Sequence, residues 1–154
     1  MTNMEDQIEE AVSYMIGKNN CSQAILMAFG PELGLPRSLA PKIAAPFGAG
    51  IGRLGQTCGA VSGALMVLGL LVGRTDLSSV EQKELSYTLA GEFMAEFSRR
   101  RGSTQCRQLL GIDLSLPQGL EQARKEGVFD TLCPELVREA GKILLEIFQK
   151  QAAG

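Results

Sequence analysis

Apolar residues recur at helical spacing in nearly every segment of this chain, and most such segments are bracketed by residues that start or stop helices. No segment alternates apolar and polar residues in the manner of a half-buried strand, and no Asn-Gly or Asp-Gly pair stands between two such segments. The combination predicts an all-α fold. Met4, Ile8, Ala11, Val12 and Met15 mark a first helix, opened by the capping-box pattern Thr2-Asn3-Met4-Glu5 and ending near Gly17. Asn19 or Asn20 caps a second helix that has Cys21 in its first turn and Gly30-Pro31 at its end. Between Leu33 and Gly55, prolines and glycines interrupt short apolar pieces, which predicts a short helix followed by an irregular loop.

A helix of small residues begins at Gln56 or Thr57 and runs to about Gly73, and Ser78-Ser79-Val80-Glu81 opens a long one striped by Leu85, Leu89, Phe93 and Phe97. Ser103 or Thr104 caps a short helix holding Cys106, Leu109 and Leu110, which Gly111 stops. A linker with Pro117 leads to one or two polar helical turns over 119–126, and Cys133-Pro134-Glu135 opens the last helix with Pro134 at its first position. At 154 residues and 45% apolar content the chain can bury a core without staples. The expected architecture is a compact helical bundle of about five to seven helices forming one domain over 1–154, with the Gly/Pro-rich loop ahead of the central helix.

The segment from Cys58 to Gly73 is almost uncharged but shorter than the ~20 residues that cross a bilayer, so it is read as a buried helix, with no membrane span. Its spacings Gly59/Gly63 and Gly69/Gly73 suit close approach of another helix, within the chain in preference to a homodimer contact. A net charge of -2 leaves no basic face for a nucleic acid, although Arg99, Arg100 and Arg101 cluster locally. The N-terminus is polar and acidic, unlike a secretory signal, so a cytoplasmic location is expected.

The chain has no histidine, which removes Ser-His-Asp and Cys-His nucleophilic pairs, mixed Cys/His zinc sites and His-ligated haem. The chemistry that remains rests on Cys21, Cys58, Cys106 and Cys133. Each is expected in or just before the first turn of a helix, where unpaired N–H groups and the positive end of the dipole favour thiolate over thiol. Lys18, Arg53 and Arg107 stand near three of them in sequence and add to that expectation. A buried cysteine also serves as a small apolar filler, but four in one chain favour a redox or metal role. No C-x-x-C pair exists, so zinc ribbons and thioredoxin-like motifs are excluded while a site assembled from distant helices is not.

Gly50-Ile51-Gly52-Arg53-Leu54-Gly55 satisfies the dinucleotide fingerprint, with Asp76 about twenty residues on. The fingerprint requires a preceding buried strand, and the Leu39 to Pro46 segment has two prolines and little β-branching, so nucleotide binding is rejected. Those glycines instead imply unusual dihedrals or a close approach just ahead of Cys58.

Cys21, then Cys58-Gly59-Ala60-Val61-Ser62-Gly63, then Cys106 and Cys133 resembles the bacterial C_GCAxxG_C_C family of redox-active proteins. The flanking Asn20-Cys21-Ser22-Gln23 and Cys106-Arg107-Gln108-Leu109-Leu110-Gly111 fit it too. The resemblance implies a helical protein with a redox role, often encoded beside transporter components, and an association with a transporter. It names neither a redox partner protein nor a small-molecule substrate.

Three functions follow as expectations. The first is a thiol–disulfide redox protein that needs no cofactor, with Cys58 attacking and its resolving partner left open among Cys21, Cys106 and Cys133. The second is an iron–sulfur or zinc centre ligated by Cys21, Cys58, Cys106 and Cys133. The third is a non-catalytic interaction module in which the cysteines are merely buried.

Overall fold

The structure, a computed structural model, describes residues 3–154. Eight right-handed α-helices order the described residues: α1 (Met4–Ile16), α2 (Cys21–Phe29), α3 (Ala40–Ala44), α4 (Gly59–Gly73), α5 (Ser79–Arg101), α6 (Cys106–Leu110), α7 (Pro117–Glu126) and α8 (Leu132–Ala153). The count runs above the expected five to seven because Pro117, expected in a linker, sits at the first position of α7 and makes 117–126 a full helix. No strand forms among the described residues; the single β-type contact is an isolated bridge between Thr57 and Gln105.

The caps act much as their chemistry dictates. Asn3 accepts the Glu5 N–H at 2.9 Å to start α1, while Thr2, also assigned to that capping box, lies outside the described residues. Asn20 and Gln23 form a reciprocal capping box at α2, and Ser78 accepts the Glu81 N–H at 3.2 Å to open α5. At α6 the cap residue is Gln105 rather than Ser103 or Thr104; the Ser103 hydroxyl, two residues ahead of it, accepts the Gln105 N–H at 2.9 Å. Pro134 is the third residue of α8, not the first, still within the turn whose N–H groups lack helical partners.

α4 packs between α2 and α5, and α8 lies against α1, α4 and α5. Phe29, Ile25 and Leu26 of α2, Leu68 of α4, Phe93 and Phe97 of α5, and Ile143 and Leu144 of α8 are fully buried in the resulting core. Each such side chain stabilises the fold by roughly 1.5–3 kcal/mol through removal from water. On the outside, Arg100 of α5 bonds Glu96 at 2.8 Å and reaches across to Glu139 and Glu146 of α8. The guanidiniums of Arg99 and Arg100 hold the Glu96 carboxyl down at about 2. The arginine cluster is thus an intrachain clasp between two helices.

The paired glycines of α4 divide. A Cβ at Gly59 or Gly63 would collide with α2, whereas Gly69 and Gly73 have nothing within 4 Å where a Cβ would stand. The second pair carries no helix contact, and the first provides the intrachain approach that its spacing predicts.

Candidate active site

Three local devices bring the helix starts together. The first is the Cys58-Gly59-Ala60-Val61-Ser62-Gly63 motif. A Cβ at Gly59 would lie 2.9 Å from the Ser22 nitrogen and 3.1 Å from Cys21 Cβ, and one at Gly63 would lie 2.9 Å from the Ser22 carbonyl oxygen. Glycine at both positions, one turn apart, lets α4 settle on the first turn of α2 and seats Cys58 beside Cys21. Ser22 is fully buried at this contact, 3.5 Å from the Ser62 hydroxyl.

The second device is the Thr57–Gln105 bridge. The Cys58 N–H donates to the Thr104 carbonyl at 2.8 Å, and the Cys106 N–H donates to the Gln56 carbonyl at 2.6 Å. One antiparallel rung therefore aligns the starts of α4 and α6. The third is a left-handed turn in which Ala49, Gly50, Ile51, Gly52 and Arg53 all have positive φ, between 56° and 71°. Such backbone costs about 1–2 kcal/mol for each residue with a Cβ. Gly50 is required twice over, because a Cβ there would also stand 2.7 Å from Cys106 Cβ and 2.6 Å from the Gln56 nitrogen. These are the glycines of the apparent dinucleotide fingerprint; they wind a turn against Cys106, and no strand precedes them among the described residues. Asn20 and Gln23 tie the preceding segment down by donating to the Ala45 and Pro41 carbonyls at 3.0 and 2.9 Å.

Cys21 and Cys106 open α2 and α6, Cys58 caps α4, and Cys133 is the second residue of α8. All four are free, buried thiols, and all four line one cavity of about 570 Å³. Its inner wall is completed by Leu114, Leu120, Phe129 and Leu136, and its rim carries Lys18, Arg53, Arg124 and Asp130. Arg124 and Asp130 had no signal in the sequence beyond their charge. Arg107, expected to support Cys106, turns away to Asp113 at 3.4 Å and the Leu54 carbonyl at 3.3 Å.

The expectation that every helix start favours a thiolate holds for Cys58 and fails for Cys21 and Cys106. Cys58 is held below the ordinary thiol value, first by a hydrogen bond from Cys21 and then, against the effect of burial, by the backbone N–H groups of Ala60 and Val61. Those N–H groups act as dipoles facing the sulfur, since Cys58 makes no fully formed side-chain cap bond. Cys21 lies within hydrogen-bond reach of Cys133 and Cys58 and is raised well above the ordinary value, by these two neighbours first and by burial next. Burial, followed by the nearby charges of Cys58 and Cys133, pushes Cys106 up to about 12. A lone helix turn cannot offset the loss of water around a sulfur when another thiol competes for the same negative charge.

The rise at Cys106 makes a prediction. The folded chain prefers the protonated thiol, so this preference contributes stability that is complete below the ordinary thiol value of about 8.5. It is lost as pH climbs through the Cys106 value of about 12. A Cys106→Ala variant should show a shallower alkaline loss of urea midpoint than the parent over that window; parallel curves would contradict the assignment.

Among the described residues no group of three or more Cys, Asp or Glu side chains is arranged to hold a metal ion, although three of the sulfurs neighbour one another. Among the described residues, too, no helix is long and apolar enough to cross a membrane.

A family model described as "Putative redox-active protein (C_GCAxxG_C_C)" matches residues 19–147, from just before the first cysteine to near the end of α8. No curated protein and no solved structure matches the chain.

Proposed function

The chain belongs to the C_GCAxxG_C_C family, and from that premise we propose that it is a thiol–disulfide redox protein whose attacking group is the Cys58 thiolate. The observation that carries this reading is the convergence of four cysteines from four helix starts on one cavity, with Cys58 held below the ordinary thiol value by its neighbour Cys21.

In the reaction, Cys58 Sγ attacks one sulfur of a substrate disulfide. A bond forms between Cys58 and that sulfur, the substrate S–S bond breaks, and the other half leaves as a thiolate that takes up a proton. Cys21 then attacks Cys58 Sγ as its proton passes to the departing second half of the substrate, which leaves as a thiol and a Cys21–Cys58 disulfide remains. Two electrons pass from the two protein thiols to the substrate disulfide. Cys21 suits the resolving role because α4 rests on the first turn of α2, next to Cys21 Cβ. Cys133, also within hydrogen-bond reach of Cys21, would exchange with the new disulfide.

The test is iodoacetamide alkylation followed by peptide mapping across a pH series. Because the Cys58 value is depressed, its thiolate fraction, and with it the rate, rises to its plateau at lower pH than for a small reference thiol titrating near about 8.5. At pH 7 Cys58 should be modified faster than the reference. A rate equal to or below the reference at pH 7 would refute the assignment.

A further inference from the structure

We infer that the cavity is a binding site for a small anionic disulfide, drawn in by Lys18, Arg53 and Arg124 so that its sulfur pair lies over Cys58. The inference rests on the reading of Cys58 as attacker and adds the chemical class of its substrate. A volume of about 570 Å³ falls in the range of roughly 300–1,000 Å³ typical of small-molecule sites.

The rim supplies the charge. Three cations stand there against the single carboxylate of Asp130, which leaves the mouth net positive on a chain whose overall charge is -2. None of the three forms an ion pair among the described residues, whereas Arg99, Arg100, Arg101, Arg107 and Arg138 all do. Their charge is available to a ligand. Two of them also occupy backbone that favours smaller residues: Lys18 has φ 80° and Arg53 has φ 68°, where glycine or asparagine is the easier choice. The turns that shape the mouth thus carry long cationic side chains at strained positions. Behind the rim, Leu114, Leu120, Phe129 and Leu136 offer an apolar wall that matches the carbon chains and sulfur pair of such a substrate and not further charge.

The experiment compares three disulfides of similar size and different charge: 3,3′-dithiodipropionate, 2-hydroxyethyl disulfide and cystamine. Each reacts in the same balanced way, giving two small thiols and the Cys21–Cys58 disulfide. Rates are divided by those of a neutral reference thiol so that intrinsic reactivity cancels. The dianion should then be favoured over the neutral disulfide by about tenfold, and over the dication by more, with the preference shrinking in high salt. The Lys18→Gln/Arg53→Gln/Arg124→Gln variant should lose that preference.

A second measurement needs no redox step. Suberate, in which two methylenes replace the sulfur pair of dithiodipropionate, should bind the parent in a calorimetric titration and fail to bind the triple variant. Equal normalised rates for the three disulfides together with no suberate binding would overturn the anion site and leave the thiol reading standing. Suberate binding without reaction of any disulfide would overturn the thiol reading and leave the anion site. A preference for cystamine, or neither binding nor reaction, would overturn the inference.

Discussion

A Gly63→Leu variant is expected to lose about 3 kcal/mol of folding stability, because added bulk in a close-packed contact forces side chains and backbone apart. The position gives it no room. A Cβ there already approaches the Ser22 carbonyl oxygen to 2.9 Å and Ile25 Cβ to 3.1 Å, and neither atom is the free end of a flexible side chain. Gly69→Ala, on the same helix, is expected to stabilise by about 0.5–1 kcal/mol, since it removes the helical cost of glycine at a site with nothing within 4 Å. Urea denaturation of the two variants therefore gives opposite signs for two glycines that look alike in sequence. If Gly63→Leu leaves the urea midpoint unchanged, α4 does not rest on α2 as described. In a variant that still folds, the separation of Cys21 from Cys58 should also slow the alkylation of Cys58.

Cys58→Ser should remove the fast reaction with disulfides almost completely, by at least about a hundredfold at pH 7, because a thiol that titrates near 12 is ionised only to about one part in 10⁵ there and Cys106 is pushed up to about 12. Two further variants separate the roles of Cys21. Cys21→Ala deletes the hydrogen bond that does most to hold the Cys58 value down, so that value rises. Each unit of the rise lowers the thiolate fraction about tenfold at pH below it. Cys21→Ser keeps a donor, so Cys58 should stay reactive, yet no sulfur is present to resolve the intermediate. The mixed disulfide on Cys58 should then accumulate and add the mass of half a substrate. If Cys21→Ser and the parent release the second half of the substrate at the same rate, another cysteine resolves.

The features legible in the sequence were those set by chemistry within a few residues. Asn20 and Ser78 declared their caps, and the stripe of Leu85, Leu89, Phe93 and Phe97 declared the inward face of α5, with Leu85 half-buried and the other three buried. Gly59 and Gly63 announced a close approach, but spacing alone could not separate them from Gly69 and Gly73, since only the neighbour that arrives makes a small residue necessary. The same limit applied to the thiols. Helix starts are local and could be read, whereas the values at Cys21 and Cys106 are set by burial and by sulfurs from distant segments, which reversed the local preference. The five left-handed residues at 49–53 looked like a loop with too many glycines, because a run of that hand is held only by what packs around it. The rim cation Arg124 sits on a polar helix whose sequence gives no reason to single it out.

The one-rung bridge between Thr57 and Gln105 also bears on how the site comes into being. The cysteines are separated by 37, 48 and 27 residues, so every meeting of sulfurs closes a long loop and is paid for in chain entropy before it is rewarded by packing. During synthesis Cys21 and Cys58 emerge first and can pair as α4 settles on α2. The rung that positions Cys106 forms only after all of α5 has been made, and the cavity lacks Cys133 until α8 docks on α1. The four-cysteine cavity is therefore completed late, after the Cys21–Cys58 pair can already have met, and a partly folded chain presents that pair without Cys106 and Cys133 beside it.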